Sequence, residues 1–261
     1  MATGRPPANA RLTPLVWRVV LEARWRWYDA LTVLGSGVLG AVVAGLLAGA
    51  LGADPTDPDF YFWVLIPFQN LGHIGALALI GKLRGFPDLA EALSFEVEPR
   101  HARWVLAGAA MSIPLAWLAA GLRILLGVEE EGPQAIVEAV VETRGTTTVA
   151  AVVVGVAVLG PVVEEMIHRG LVYRMLLGNN RKPITAVIVT SILFSAIHLV
   201  DPSLYSAAGA VTLLILFVFG LFLGTLRART STLGPPIFAH SGFNLMTLVV
   251  LFFFPNPLSS L

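Results

Sequence analysis

The chain has 261 residues, of which 56% are hydrophobic and only 13% charged, and its mean hydropathy is +0.78. Soluble domains carry about 25% charged residues, so this composition excludes an ordinary soluble protein and predicts a chain that crosses a membrane several times. The formal net charge of zero and the lack of a long basic run argue against nucleic-acid binding. The chain has no cysteine, which excludes disulfides, thiol catalysis and cysteine-ligated zinc.

The first 29 residues are cationic and lack an apolar core followed by a small-residue cleavage site. We therefore do not predict a signal peptide in this segment. Trp17, Trp25 and Trp27 suit the boundary between lipid and water. We predict an interfacial segment over residues 1–29 and a single transmembrane domain over residues 30–261. No internal repeat separates a second domain.

Apolar segments long enough to cross a bilayer then follow one another along the chain, since a spanning helix needs about 20 such residues. The seven segments cover residues 30–53, 60–81, 104–126, 147–177, 184–200, 204–226 and 235–254. The predicted fold class is therefore all-α, a polytopic bundle of about seven membrane-spanning helices.

The positions of the basic residues orient these helices. With the N-terminus placed inside, only Arg144 of the 17 lysines and arginines falls in an outer connection, while Arg123 and Arg169 lie within segments. All the others lie inside. Because cytoplasmic connections carry the excess of lysine and arginine, this distribution predicts an inside N-terminus and an external C-terminal tail.

The fourth segment carries ionisable residues in the sequence EEMIHR, residues 164–169. Charged side chains in a membrane are costly and rare, so they favour a functional site. Glu164 lies roughly 21 Å from the inner end of its helix, and His198 in the fifth segment lies roughly 22 Å from the same side. We therefore expect the carboxylate and the imidazole at one depth on adjacent antiparallel helices.

The seventh segment adds His240 and Asn244, which are four residues apart and share one helical face. Their depth matches that of Glu164 only if the preceding sequence STLGPP, residues 231–236, enters the membrane before the helix begins. Such non-helical backbone is tolerated only where it is buried in protein or faces water.

These residue types can carry out hydrolysis. Glu165 and Arg169 form an i, i+4 pair, so the arginine can orient one carboxylate while Glu164, about 100° round the helix, faces elsewhere. A carboxylate and a histidine in a dry pocket can hold and deprotonate water. A second histidine with an asparagine amide, here His240 and Asn244, can donate hydrogen bonds to an oxyanion.

The sequences EEMIHR, FSAIH and HSGFN resemble, in order, the EExxxR, FxxxH and HxxxN motifs of the CAAX prenyl endopeptidase and bacteriocin-processing family, also called CPBP or Abi intramembrane proteases. Each motif alone is weak, but three in order within apolar helices are specific. The resemblance covers about residues 145–254.

The resemblance implies that Glu164 activates water together with His198. Glu165 and Arg169 are then supporting residues, and His240 and Asn244 lie on the oxyanion or metal side. Family members are named metalloproteases, so a zinc ion held by Glu164, His198 and His240 and a metal-free water site both stay open. No HExxH motif is present, which excludes the ordinary soluble zincin pattern.

Structural interpretations compete with the functional ones. Glu165 and Arg169 also fit a buried ion pair that joins helices. For Gln69, Asn70 and His73 in the second segment, interhelical hydrogen bonding is favoured over substrate contact. His168 is expected to be a satisfied histidine that faces a loop or a neighbouring helix. Arg123 lies where it can extend to the interface.

The sequence also suggests partners, a membrane and two alternative functions. The implied partners are the lipid bilayer and a membrane-associated or lipidated peptide substrate, and the composition, with few lysines, suggests a bacterial cytoplasmic membrane. One alternative is a catalytically idle immunity or scaffold protein. The other is a transporter with Glu164 and His198 as a proton relay, which the absence of a repeat disfavours.

Overall fold

A computed structural model describes residues 25–54, 57–128, 146–179 and 181–253 of the chain. Seven of its helices are long and apolar enough to cross a membrane: α1 Trp27–Leu51, α2 Tyr61–Leu83, α3 Pro99–Leu126, α4 Thr147–Gly178, α5 Pro183–Val200, α6 Ala207–Thr230 and α7 Gly234–Phe253. The described residues form no strand. The predicted all-α bundle of seven helices is confirmed, while the inside position of the N-terminus stays a prediction.

Helix α1 begins three residues before the apolar segment because an aspartate caps it. The Asp29 carboxylate accepts a hydrogen bond of 2.8 Å from the Arg26 backbone N–H. It also forms an ion pair of 2.7 Å with Arg84, which lies in the connection between α2 and α3. An acidic group in the first turn stabilises a helix because it complements the positive end of the helix dipole.

The tryptophans near the N-terminus do not all lie at the lipid boundary. Trp25 is buried, its indole N–H donates to the Ala92 carbonyl at 3.3 Å, and its ring stacks on Phe86. The interfacial prediction is therefore wrong for Trp25. Trp27 is 66% exposed, whereas Trp17 and most of the predicted interfacial segment lie outside the described residues.

Helix α6 begins at Ala207 rather than at Leu204, where the apolar segment begins. The Ser206 hydroxyl accepts a hydrogen bond of 3.0 Å from the Gly209 backbone N–H, so serine caps the helix. Leu204 ends a separate 3₁₀ turn. This turn lines the cavity described below.

Helix α4 is the centre of the bundle. Half of the residues in its most apolar window are buried, against 11% for α3. Helix α1 packs mainly on α2, α3 on α7 and α5 on α6, while α4 contacts α1, α2, α5 and α7. The ionisable side chains of α4 are therefore surrounded by protein, where charged partners can reach them.

Helix α4 is not a regular α-helix. It contains two π-helical stretches, Gly155–Leu159 and Met166–Val172. The Gly160 N–H reaches five residues back to the Gly155 carbonyl. In the same register the next residue, Pro161, would donate to the Val156 carbonyl, but proline has no N–H. The Val156 carbonyl is thus left for a partner from another helix.

Helices α3 and α7 touch through their backbones on either side of His240. A Cβ on Gly108 would lie 1.7 Å from the Ala239 carbonyl oxygen, and one on Gly242 would lie 2.0 Å from that of Val105. Only glycine permits so close an approach. The contact fixes the position of α7 and hence the direction of the His240 side chain.

The start of α7 is buried in protein. The Leu233 N–H donates to the Ser94 carbonyl at 3.0 Å, and the Gly234 N–H donates to the Glu96 carbonyl at 3.1 Å. Residues 233–237 are all buried. Of the sequence STLGPP, residues 234–236 already belong to the helix, Leu233 is buried, and Ser231 and Thr232 are half-buried. The entry of this stretch into the membrane stays a prediction.

Candidate active site

Glu165 and Arg169 form the ion pair that their spacing predicts. Arg169 Nη1 lies 2.9 Å from Glu165 Oε1, and both side chains are fully buried. Arg169 Nη2 also donates to the Gly220 carbonyl at 3.0 Å, and the guanidinium lies 4.8 Å from the centre of the Phe194 ring. A carboxylate, a carbonyl and an aromatic face thus compensate the desolvated charge.

His240 contacts both glutamates of α4. Its Nδ1 lies 3.0 Å from Glu165 Oε1, and its Nε2 lies 3.9 Å from Glu164 Oε2. Because the Glu165 carboxylate is paired with Arg169, it accepts the Nδ1–H, which directs Nε2 of His240 toward Glu164. The second distance is too long for a direct hydrogen bond and suits a small molecule held by both groups.

Glu164 differs from its neighbour in exposure. Its side chain is 37% exposed, whereas that of Glu165 is fully buried. The expected division of the two carboxylates, one facing a cavity and one held in the protein, is thus present in the structure.

His198 lies at the end of α5, where the helix tightens into a 3₁₀ turn. Its Nδ1 lies 2.8 Å from the Phe194 carbonyl oxygen. A carbonyl only accepts hydrogen bonds, so Nδ1 carries the proton and Nε2 keeps a lone pair.

Asn244 donates the hydrogen bond that the Val156 carbonyl cannot receive from Pro161. Its side-chain Nδ2 donates to the Val156 carbonyl at 2.8 Å, which joins α7 to the first π-helical stretch of α4. We expected the amide to donate to an oxyanion, but one of its two N–H groups is already used. The second N–H is left for a ligand.

These residues line one cavity of about 920 Å³. Glu164, His198, His240 and Asn244 all contribute to its wall, as the helix depths predict. Most of the remaining wall is apolar, with leucine, isoleucine, valine and phenylalanine side chains from six helices. Such a cavity can accept an apolar chain and also offers polar groups that orient it.

Comparison with known proteins decides the family. Residues 146–246 match the family model described as type II CAAX prenyl endopeptidase Rce1-like. This part of the chain is similar to the Rce1-like family. The match spans α4 to α7 and includes all six predicted site residues, so the family prediction from the three motifs is confirmed. No curated protein and no solved structure matches the chain.

The Rce1-like region and the seven apolar helices together make the chain a CAAX-protease-like integral membrane protein. The matched region carries the whole ion pair and every histidine of the site. Helices α1, α2 and α3 lie outside the match, yet α2 and α3 contribute to the cavity.

Phe194 organises the Rce1-like site, which the sequence analysis did not foresee. Its ring lies 5.4 Å from those of His198 and His240 and 5.6 Å from that of His168, each in an edge-to-face arrangement. It also lies under Arg169. The sequence did offer a signal for this role, namely the phenylalanine that begins the FSAIH motif. Only an aromatic ring can pack against three imidazoles and a guanidinium at once.

The polar residues of α2 divide between structural and cavity positions. His73 Nδ1 lies 2.8 Å from the Val33 carbonyl oxygen of α1, as interhelical hydrogen bonding predicts. Asn70 instead donates to the Ile66 carbonyl of its own helix. Gln69, Asn70 and His73 all line the cavity. Arg123, expected at the lipid interface, lines the same cavity from the end of α3.

Glu164, His198 and His240 carry the donor types that a metal ion needs. The Nδ1 atoms of His198 and His240 each contact an acceptor, so Nε2 of each ring is available as a ligand, the usual arrangement around a bound metal. The Glu164 carboxylate completes a plausible zinc set. Within the described part of the chain, however, no three histidine, aspartate or glutamate side chains lie close enough together to hold an ion. The donor types fit a metal, and the zinc prediction stays open.

Proposed function

We propose that the protein is an intramembrane endopeptidase that hydrolyses a peptide bond of a membrane-associated substrate. The observation that carries this proposal is the pair formed by Glu164 Oε2 and His240 Nε2, 3.9 Å apart on the wall of a largely apolar cavity. The family match supports the same reaction class. A carboxylate and an imidazole at this separation can hold one water between them.

The attacking water is activated by Glu164. Its carboxylate takes a proton from the water while the water oxygen forms a bond to the carbonyl carbon of the substrate. His198, with its Nε2 lone pair, is a second acceptor that holds the same water. The product of this step is a tetrahedral intermediate with a negative oxygen.

The oxyanion is stabilised from α7. The free N–H of Asn244 is one donor. His240 is the second when its ring carries a proton on Nε2 as well, while its Nδ1–H is held by the Glu165 carboxylate. Arg169 holds the Glu165 carboxylate in place. Preorganised donors of this kind contribute a large share of the rate enhancement in acyl transfer.

Collapse of the intermediate completes the reaction. The proton held by Glu164 passes to the nitrogen of the scissile bond, the C–N bond breaks, and the products are a new carboxyl group and an amine. A zinc ion held by Glu164, His198 and His240 would add Lewis-acid polarisation of water and carbonyl. With zinc bound, Nε2 of His240 would be a ligand of the ion instead of a hydrogen-bond donor, and Asn244 would stay as the oxyanion donor.

The substrate and its location follow from the cavity. Its largely apolar wall suits a membrane-associated or lipidated peptide. We place the protein in a bacterial cytoplasmic membrane, consistent with the sequence composition. The bilayer is then its permanent partner, and the substrate reaches Glu164 from within or beside it.

The proposal is tested by comparing the peptides in membranes of cells that carry either the wild type or Glu164→Gln. We expect one or more membrane peptides to be cleaved only with the wild type. Glu98→Gln is the matched control, because Glu98 pairs with Arg100 outside the cavity and should leave cleavage unchanged.

Identical peptide sets for wild type and Glu164→Gln would remove the endopeptidase assignment. Ion flux measured in liposomes that contain the purified protein then separates the alternatives. Flux that requires Glu164 indicates a transporter, and its absence indicates an idle scaffold or immunity protein.

A further inference from the structure

His168 belongs to the motif EEMIHR, yet the mechanism above does not use it. The residue is 3% exposed and lies one helical turn after Glu164. Its Nδ1 lies 2.9 Å from the Glu164 backbone carbonyl oxygen. The side chain nevertheless lines the cavity together with Glu164 and His198. We expected a satisfied histidine that faces a loop or a neighbouring helix, and only one of its two ring nitrogens fits that expectation.

The hydrogen bond to Glu164 decides which ring nitrogen of His168 carries the proton. A carbonyl oxygen cannot donate, so Nδ1 must be the donor and Nε2 of the neutral ring is an acceptor. Among the residues that the structure describes, Nε2 has no hydrogen-bond partner. It is also not one of the fully enclosed polar atoms that lack a partner. The Nε2 lone pair of His168 therefore reaches the cavity.

The ring is held in this orientation from two sides. The Nδ1 hydrogen bond fixes one edge, and Phe194 packs against it at 5.6 Å with the ring planes at 83°. A fixed acceptor loses little conformational entropy when it binds a donor. Glu164 and His198 line the same cavity, so a peptide placed for cleavage at Glu164 also meets His168.

We propose that His168 Nε2 accepts a hydrogen bond from a backbone N–H of the peptide substrate, at a residue flanking the scissile bond. This inference rests on the proposed function. A peptide whose carbonyl lies beside Glu164 carries N–H groups within one or two residues of that carbonyl. His168 is then a substrate-contacting residue that selects peptides with a free N–H at that position and disfavours proline there.

The test uses the purified full-length protein in liposomes and the peptide that the membrane comparison identifies as cleaved. Each backbone amide flanking the scissile bond, except the scissile one, is N-methylated in turn. Methylation of one amide should lower kcat/KM of the wild type about 10-fold, since a hydrogen bond contributes about 1 kcal/mol or more. The other positions should change it less than about threefold.

Two substitutions of His168 separate the acceptor from the packing. In His168→Asn the amide can still donate to the Glu164 carbonyl, but nothing reaches the position of Nε2. In His168→Gln an amide group reaches that position. We expect about a 10-fold lower kcat/KM for His168→Asn with the unmodified peptide and no further loss on methylation of the sensitive amide. His168→Gln should retain activity within about threefold and keep the sensitivity.

Equal losses from methylation in the wild type and in His168→Asn would overturn the inference and leave the proposed function intact. A wild type that tolerates methylation at every flanking amide overturns it as well, and this arm does not depend on whether the variants fold. If the wild type cleaves no peptide in a Glu164-dependent manner, the proposed function fails and the inference fails with it.

Discussion

Glu165 Oε1 lies 3.0 Å from His240 Nδ1, although 75 residues separate the two positions in the chain. The same oxygen accepts from Arg169, so one buried carboxylate joins the central helix α4 to the last helix α7. Because the Nδ1–H of His240 is held there, the other nitrogen of the ring faces Glu164. The supporting glutamate thus determines the geometry of the cavity-facing one.

Glu164→Gln should abolish peptide cleavage and leave the folded protein in the membrane. The amide is close to the carboxylate in size but cannot take the proton of water, and loss of a general base costs about 10²-fold or more. His198→Ala should have a similar effect on activity. Cleavage assays and thermal unfolding in detergent measure the two properties. Activity of either variant within about threefold of the wild type would contradict the hydrolase mechanism.

Arg169→Ala should reduce both stability and activity. It leaves the Glu165 carboxylate buried without its cation, and breaking a buried pair costs about 3–5 kcal/mol. The double variant with Glu165→Gln should regain stability, because no charge is then left unpaired, but it should stay inactive, because His240 loses its carboxylate. A fully active double variant would show that the pair serves packing alone.

Asn244→Ala should destabilise the protein by about 1 kcal/mol, since the half-buried Val156 carbonyl loses its donor. Pro161→Ala provides a backbone N–H in the register that reaches Val156. In the Asn244→Ala background this change should therefore restore part of the lost stability, while in the wild type it should restore none. Thermal unfolding of the four proteins forms a double-mutant cycle, and purely additive effects would refute the proposed exchange of donors.

Phe194→Leu should lower activity more than its loss of packing explains. The ring orients three imidazoles and lies under Arg169. Phe219→Leu is the matched control, because Phe219 is equally buried and contacts only His240 among the site histidines. We expect similar unfolding temperatures for the two variants but a lower kcat for Phe194→Leu. Equal kcat values would limit Phe194 to packing.

The zinc prediction is decided by elemental analysis of active protein before and after treatment with a chelator. Glu164, His198 and His240 have donor types that suit zinc, whereas no three histidine, aspartate or glutamate side chains among the described residues lie close enough together to hold an ion. Stoichiometric zinc whose removal stops cleavage and whose return restores it establishes the metal. Full activity without bound metal establishes the metal-free reaction.

Much of the fold is local in origin and was therefore predictable. Each spanning helix follows from about 20 consecutive apolar residues, and the predicted segments agree with the helices to within a few residues. The exceptions are ends set by caps, as at Asp29 and Ser206. The pair of Glu165 and Arg169 was equally accessible, because residues four apart share a face of any helix.

The sequence by itself thus determined the class, the helices and the family motifs, and it predicted that Glu164 and His198 share a cavity, which both residues line. Only the tertiary structure decided that Asn244 binds Val156, that Phe194 lies among three histidines, and that Trp25 is buried. Arg123 belongs to the same group, since it lines the cavity rather than the lipid boundary. These contacts join residues distant in the chain, and helix packing determines them. Close backbone contacts such as that of Gly108 with Ala239 set the packing, and no local pattern encodes them.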